Sequence, residues 1–237
     1  MSISSTGPDV AANSLGLLDD DAGDFAVDIE RTFGLKLADG AWDACNTLGD
    51  IHDMVIANAP PEWADGSKCA TMIAFNRLRA MFAADVPDVR LTPTTPLSVL
   101  SAFPVRKLYE RIKAGGLTPP PPIISFVGLL GVALFLISPI AAKLLSEGWV
   151  AAIGMPAGCL LFALSPRRFP ATVQTFGDLS RACAAYSAGH LFAQGARSSS
   201  NEIWLALTTI AADHSMLPPH EMTRDTLLLL PSRRKAA

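Results

Sequence analysis

Charged residues are spread along most of the chain and then stop. Positions 123–142 carry none, and after a short polar break positions 149–165 again carry none. Twenty helical residues rise about 30 Å, the thickness of a bilayer's hydrocarbon core. The break holds only Lys143, Ser146 and Glu147 as polar residues. This pattern predicts a two-helix transmembrane hairpin over 123–165, placed mid-chain and so neither a signal peptide nor a tail anchor. Gly128, Gly131, Gly154 and Gly158 are small residues that let two such helices approach. Pro139 and Pro156 interrupt the runs, and 149–165 is short for a span, so a pair of buried core helices is the soluble alternative.

Either side of the hairpin the pattern changes to helical amphipathicity. Phe25, Ile29 and Phe33 recur at i, i+4 and i+8, with Asp28, Glu30 and Arg31 on the opposite face. Gly34 should stop that helix, and Leu35 and Leu37 should tuck beneath it. A helix from about Thr47 turns Ile51 and Val55 inward. Another, over 69–83, is expected to bury Met72, Phe75, Leu78 and Phe82. The prolines at 93 and 96 hold 90–97 extended. A basic helix over 104–113 leads through Gly115-Gly116 to a stiff proline collar at 119–122. Helices are expected at 175–191 and 201–214. The expected units are a disordered 1–13, soluble segments 14–58, 68–116 and 174–230, the hairpin, and a basic tail 231–237.

Composition narrows the partners. With net charge −3 the chain lacks the basic balance of a nucleic-acid binder. Cys45, Cys69, Cys159 and Cys183 have no metal-ligand spacing and predict neither disulfides nor a zinc site. Arg106, Lys107, Arg111 and Lys113 precede the hairpin, and Arg167 and Arg168 follow it, against Lys143 alone in the turn. Positive-inside counting expects an inner-membrane protein with both termini in the cytoplasm.

A repeat underlies the soluble parts. Thr47-Leu-Gly-Asp-Ile51 returns as Thr175-Phe-Gly-Asp-Leu179, 128 positions later, and Leu91-Thr-Pro-Thr-Thr95 returns as Met222-Thr-Arg-Asp-Thr226, 131 positions later. Matching order and nearly constant offset predict a duplicated helical unit; the plainer explanation is that helix starts resemble one another.

Leu15-Gly-Leu17 through Glu30-Arg-Thr-Phe33, followed by Thr47-Leu-Gly-Asp-Ile51, resembles the second half of an acyl carrier protein. The missing first helix resembles Trp204–Asp213, with Glu221–Thr226 as its exit loop. A second split copy runs through 69–97, 104–113 and 175–191. The resemblance implies an all-α fold of carrier-like four-helix bundles, circularly permuted, interrupted by the hairpin. It also implies where phosphopantetheine would attach, and there the chain departs. The serine position falls on Asp19 in one copy and on Pro104 in the other, so both sites are degenerate and no cofactor is expected.

The remaining chemistry is sparse. Asp19, Asp20, Asp21 and Asp24 lack the alternation of a calcium loop; they suit a helix start that offers negative charge to a partner. His52, His190, His214 and His220 share no ligand spacing. The expectation is a membrane-anchored, non-catalytic recognition or scaffold module. Its partners would be the bilayer and a cytoplasmic protein with a basic patch, and its two halves would pair within one chain or across a homodimer. The rivals are a genuine carrier modified at a nearby serine and a small channel or transport accessory built from the hairpin.

Overall fold

The computed structural model describes residues 13–229 except 65, 124, 147, 166 and 167; the side chains of Asp19, Asp20, Asp39 and Leu145 also lie outside the description. Of the disorder expected over 1–13, residues 1–12 fall outside it, as does the basic tail 231–237; Asn13 is described and accepts the Leu227 N–H at 3.1 Å and the Thr226 hydroxyl at 2.8 Å. Among the described residues the chain is mostly helical: α1 (Asp19–Phe33), α2 (Asp39–Trp42), α3 (Leu48–Ala57), α4 (Ala70–Phe82), α5 (Val105–Ala114), α6 (Phe126–Leu145), α7 (Gly148–Leu164), α8 (Phe176–Tyr186), α9 (Ala188–Ala193) and α10 (Ser200–Asp213). Two short strands, β1 (Ser14–Leu17) and β2 (Leu227–Leu229), pair in parallel. The helical expectation holds, with this small ribbon as an addition to it. The four consecutive leucines at 227–230 carry no alternating strand signal.

Local chemistry explains most of the boundaries. The helix anticipated from Phe25 begins earlier, at Asp19, where the Asp21 carboxylate accepts the Leu18 N–H at 3.4 Å. It ends where Gly34 takes φ 64°, a left-handed conformation that glycine adopts without steric cost. Glu30 then accepts the Leu37 N–H at 3.0 Å, and that bond draws Leu37 under the helix into the core. The single helix expected over 175–191 is broken at Ser187, whose hydroxyl accepts the Thr118 N–H at 2.7 Å. Phe75, Leu78 and Phe82 are buried as expected, but Met72 is exposed; it stands two residues from each of the buried Ala70 and Ala74, about 160° around the helix from them.

One hydrophobic core joins the two soluble flanks. It includes Phe25, Ile29 and Phe33 of α1, Leu78 and Phe82 of α4, Phe176 and Leu179 of α8, and Ile203, Leu207 and Ile210 of α10. Helix α4 packs along α8, and α10 lies against α8, α3 and α1, so the carboxy-terminal helix packs on the amino-terminal segment of the same chain. Edge-on contact of Phe25 with His214 at 5.3 Å, and a His214–Asp28 hydrogen bond at 3.0 Å, fix that junction.

Helices α6 and α7 form an antiparallel pair that leaves the body at a neck. There Ile123 and Arg168 exchange backbone hydrogen bonds of 2.9 and 3.3 Å. Pro119 and Pro120 are buried below it, and the ring of Tyr109 stacks on Phe169 at 5.0 Å.

Candidate functional site

The hairpin inverts the usual distribution of side chains. Phe126, Leu136, Ile137, Ile140, Ile153, Leu160 and Leu164 face outward and are exposed, while Gly128, Gly131, Ser138, Gly154 and Gly158 line the buried seam. A Cβ on Gly131 would lie 2.7 Å from the Gly158 carbonyl oxygen, and one on Gly158 would lie 2.6 Å from that of Gly131. Only glycine permits backbones this close. Pro139 deprives the Phe135 carbonyl of its helical donor, and the Ser138 hydroxyl donates to that same oxygen at 3.3 Å. Side-chain compensation of this kind lets proline persist in a helix surrounded by lipid. Among the described residues one helix, Phe126–Leu144, is long and apolar enough to cross a membrane by length and composition; α7, at 17 residues, falls short of that length. Lys143, expected in the turn, sits in the last turn of α6, where a cation meets the negative end of the helix dipole.

The repeated segments occupy matching places in the body. Thr47 caps α3 by accepting the Asp50 N–H at 3.1 Å, and Asp50 accepts the Thr47 and Asn46 N–H groups at 2.9 Å each. Thr175 and Asp178 build the same box at the start of α8, with bonds of 3.2 and 2.9 Å and the Gln174 N–H in third place at 3.2 Å. Hydrogen bonds from the Asn46 backbone, the Thr47 side chain and the Thr47 backbone hold the Asp50 carboxyl below its usual value. For Asp178 burial works against the charge, yet the bonds from Thr175 and Gln174 outweigh it and leave the carboxyl low.

Each box receives an extended segment from elsewhere in the chain. Leu48 and Gly49 donate to the Thr226 and Arg224 carbonyls at 2.9 and 2.8 Å; Phe176 and Gly177 donate to the Thr95 and Pro93 carbonyls at 2.9 and 2.8 Å. The glycine of each Thr-x-Gly-Asp motif therefore has one physical reason. A Cβ on Gly49 would sit 2.8 Å from the Arg224 oxygen, and a Cβ on Gly177 would sit 2.8 Å from the Pro93 oxygen. The incoming segments are shaped alike as well, since Thr95 and Thr226 each accept an N–H three residues upstream, from Thr92 and Thr223, at 2.9 Å.

Two cavities follow the same relation. One of about 380 Å³ is lined by Ile51, Leu228, Phe25, Trp42 and Asp43 among others. The other, of about 520 Å³, is lined by Leu179 and Leu97, the counterparts of Ile51 and Leu228, together with Leu100, Leu108, Phe169 and Arg168.

The four aspartates are placed as a helix start. Asp21 and Asp24 are exposed on the first turns of α1; Asp19 and Asp20 belong to its first turn by backbone. Pro104 is the residue before α5, so both degenerate attachment positions fall at helix N-termini. Pro104 lines neither cavity, and the Asp19 side chain lies outside the description. Among the described residues no group of three or more His, Cys, Asp or Glu is placed to hold a metal ion. Burial pushes the Cys183 thiol up to about 12, which keeps it protonated and unreactive.

Two polar constellations escaped the sequence because their members are far apart in it. Arg224 lies 2.9 Å from His52 Nδ1 and donates to Asp53 at 2.5 Å, while His52 Nε2 lies 3.1 Å from the Ser200 carbonyl oxygen. This tie fastens α3 to the carboxy-terminal segment. Tyr186 donates its hydroxyl to Asp213, joining the ends of α8 and α10; burial, then Asp213 itself, pushes the tyrosine well above its ordinary value. Both constellations hold helices together.

Searches against family models, curated proteins and solved structures find no match for this chain.

Proposed function

We propose that this protein is a membrane-anchored, non-catalytic recognition or scaffold module, with a body of two carrier-like helical halves carried on a transmembrane hairpin. The observation that carries the reading is the hairpin's outward apolar surface with its glycine seam, a distribution suited to lipid and costly in water. Both α6 and α7 cross in this reading, and the basic residues at the neck set both chain ends on the cytoplasmic side.

The doubled geometry of the body supports the carrier-like halves. One consists of α10, α1, α2 and α3; the other consists of α4, α5 and α8 with the hairpin inserted between α5 and α8. In the first, the leading helix comes from the end of the chain and its successors from the beginning, which is the connectivity of a circular permutation. With Asp19 and Pro104 at the two attachment positions, neither half offers a hydroxyl there. The exposed Asp21 and Asp24 on α1 supply negative charge for a partner's basic patch.

Incubation of the purified protein with a phosphopantetheinyl transferase and coenzyme A, followed by intact-mass measurement, tests the carrier half of this reading. An unchanged mass is expected, and addition of one prosthetic arm would overturn it. Co-purification in mild detergent tests the recognition half. Asp21→Asn with Asp24→Asn should release whatever protein the native chain retains; an identical set of retained proteins would remove α1 as the docking surface.

A further inference from the structure

We infer that the cavity at the neck of the hairpin takes one acyl chain of an anionic phospholipid from the surrounding bilayer, with its headgroup against Arg168 and the basic helix α5. The inference rests on the membrane reading above and adds a ligand to it. Its first ground is position. Arg168 and Phe169 form one wall of the cavity, and Arg168 is the residue whose backbone pairs with Ile123 where the hairpin begins. A chain leaving the headgroup region beside the neck would thus meet the opening directly.

The second ground is the polarity gradient along the lining. Arg168 and Ser101 are exposed at the rim, whereas Leu100, Ile112, Phe82 and Leu179 are buried at the floor. An apolar floor with one polar edge is how a site admits a hydrocarbon tail and holds its charged head at the surface. At about 520 Å³ the space falls within the range of small-molecule sites. A chain that fills the space over the apolar floor gains dispersion contacts that the lining otherwise lacks. The third ground is charge. Arg106, Lys107, Arg111 and Lys113 are exposed on α5, the helix that supplies Val105, Leu108 and Ile112 to the cavity; Arg106 and Arg111 are paired with Glu110 and Asp85, which leaves Lys107 and Lys113 beside Arg168 as the cations that attract anionic lipid.

The related cavity serves as an internal contrast. It occupies the matching place in the other half, but Asp43 lines it, and among the described residues no residue of the neck and no basic side chain borders it. It should therefore remain free of lipid.

The test uses the full chain in nanodiscs that contain phosphatidylglycerol with a photoreactive diazirine in its acyl chain. After irradiation, labelled peptides are mapped by mass spectrometry. Label is expected on the outward face of the hairpin, around Leu136 and Ile153, and again on peptides covering 97–112, with none on 42–51. Leu100→Trp, or Val105→Trp should the first variant misfold, fills the cavity and should remove the second label while leaving the first. Arg168→Gln should abolish the preference for phosphatidylglycerol over phosphatidylcholine at 97–112. A labelled hairpin with unlabelled 97–112 overturns the inference and leaves the membrane reading standing. An unlabelled hairpin overturns both. Equal labelling of 42–51, or labelling of 97–112 by a free photoreactive fatty acid but not by the diacyl lipid, would overturn it in favour of unspecific or soluble acyl binding.

Discussion

The hairpin and the body solve the packing problem in opposite ways. In the body large apolar side chains such as Phe33, Phe82 and Phe176 are buried and the charges face out. In the hairpin the large side chains face out, and the helices meet through Gly131, Gly154, Gly158 and Ser138. Water drives apolar groups inward in the first case. On the proposed membrane reading lipid is the solvent of the hairpin; there that force vanishes, and close backbone approach holds the pair together instead. The difference teaches that exposure alone does not classify a residue. Leu136 is 58% exposed and Met72 is 57% exposed, yet one belongs to a continuous apolar band and the other sits singly on a polar helix face.

Removing the hairpin is the coarsest way to break this contrast. Because Ile123 and Arg168 are already hydrogen-bonded neighbours, a short linker between them should leave the body's core intact. The shortened protein should move entirely to the soluble fraction. Its retention on membranes through a carbonate wash, with the body folded, would show that the hairpin is not the anchor.

Next in size is a charge placed in the body's core. Leu207 is fully buried in α10, and Leu207→Asp should cost at least about 3 kcal/mol. Since α10 packs on α1 and α3, amide exchange around Ile29 should accelerate despite a separation of some 180 residues in sequence. Unchanged protection there, with α10 itself disrupted, would mean that the two chain ends do not support one another.

The sharpest comparison uses the matched pair. Leu136→Arg should oppose membrane insertion by about 3 kcal/mol, whereas Met72→Arg should change stability by no more than about 0.5 kcal/mol. Glycosylation-site mapping of insertion and denaturant unfolding measure the two. Similar, small effects at both positions would return the hairpin to the class of ordinary surface helices.

Smallest are the two capping boxes. Thr47→Ala and Thr175→Ala should each cost about 1 kcal/mol. Both partner carboxyls titrate below their usual value of 3.8, so their contribution is complete above that pH and is lost as pH falls through the lower folded values. Thermal unfolding at pH 7 and pH 3 should show each alanine variant losing less on acidification than the native chain. An equal loss would mean that the boxes do not carry the acid sensitivity.

The residues themselves determined much of this protein. An uncharged run needs only composition to be recognised, Gly34 needs only its own backbone freedom, and the Thr-x-x-Asp boxes close within four residues. Local signals of that kind survive in a one-dimensional reading because the interaction spans a single turn. The glycines of the repeated motif were visible as a pattern, but their cause was not, since it lies in the Arg224 and Pro93 carbonyls that arrive from distant segments. Tertiary structure alone decided the β1–β2 ribbon, the exposure of Met72, the break at Ser187 and the His52–Asp53–Arg224 tie. It alone decided the cavity at the neck, which exists only because α5, α8 and the residues flanking the hairpin converge. Each depends on which segments, distant in the chain, meet in the fold, and propensity, being a property of neighbours in sequence, carries no record of such meetings.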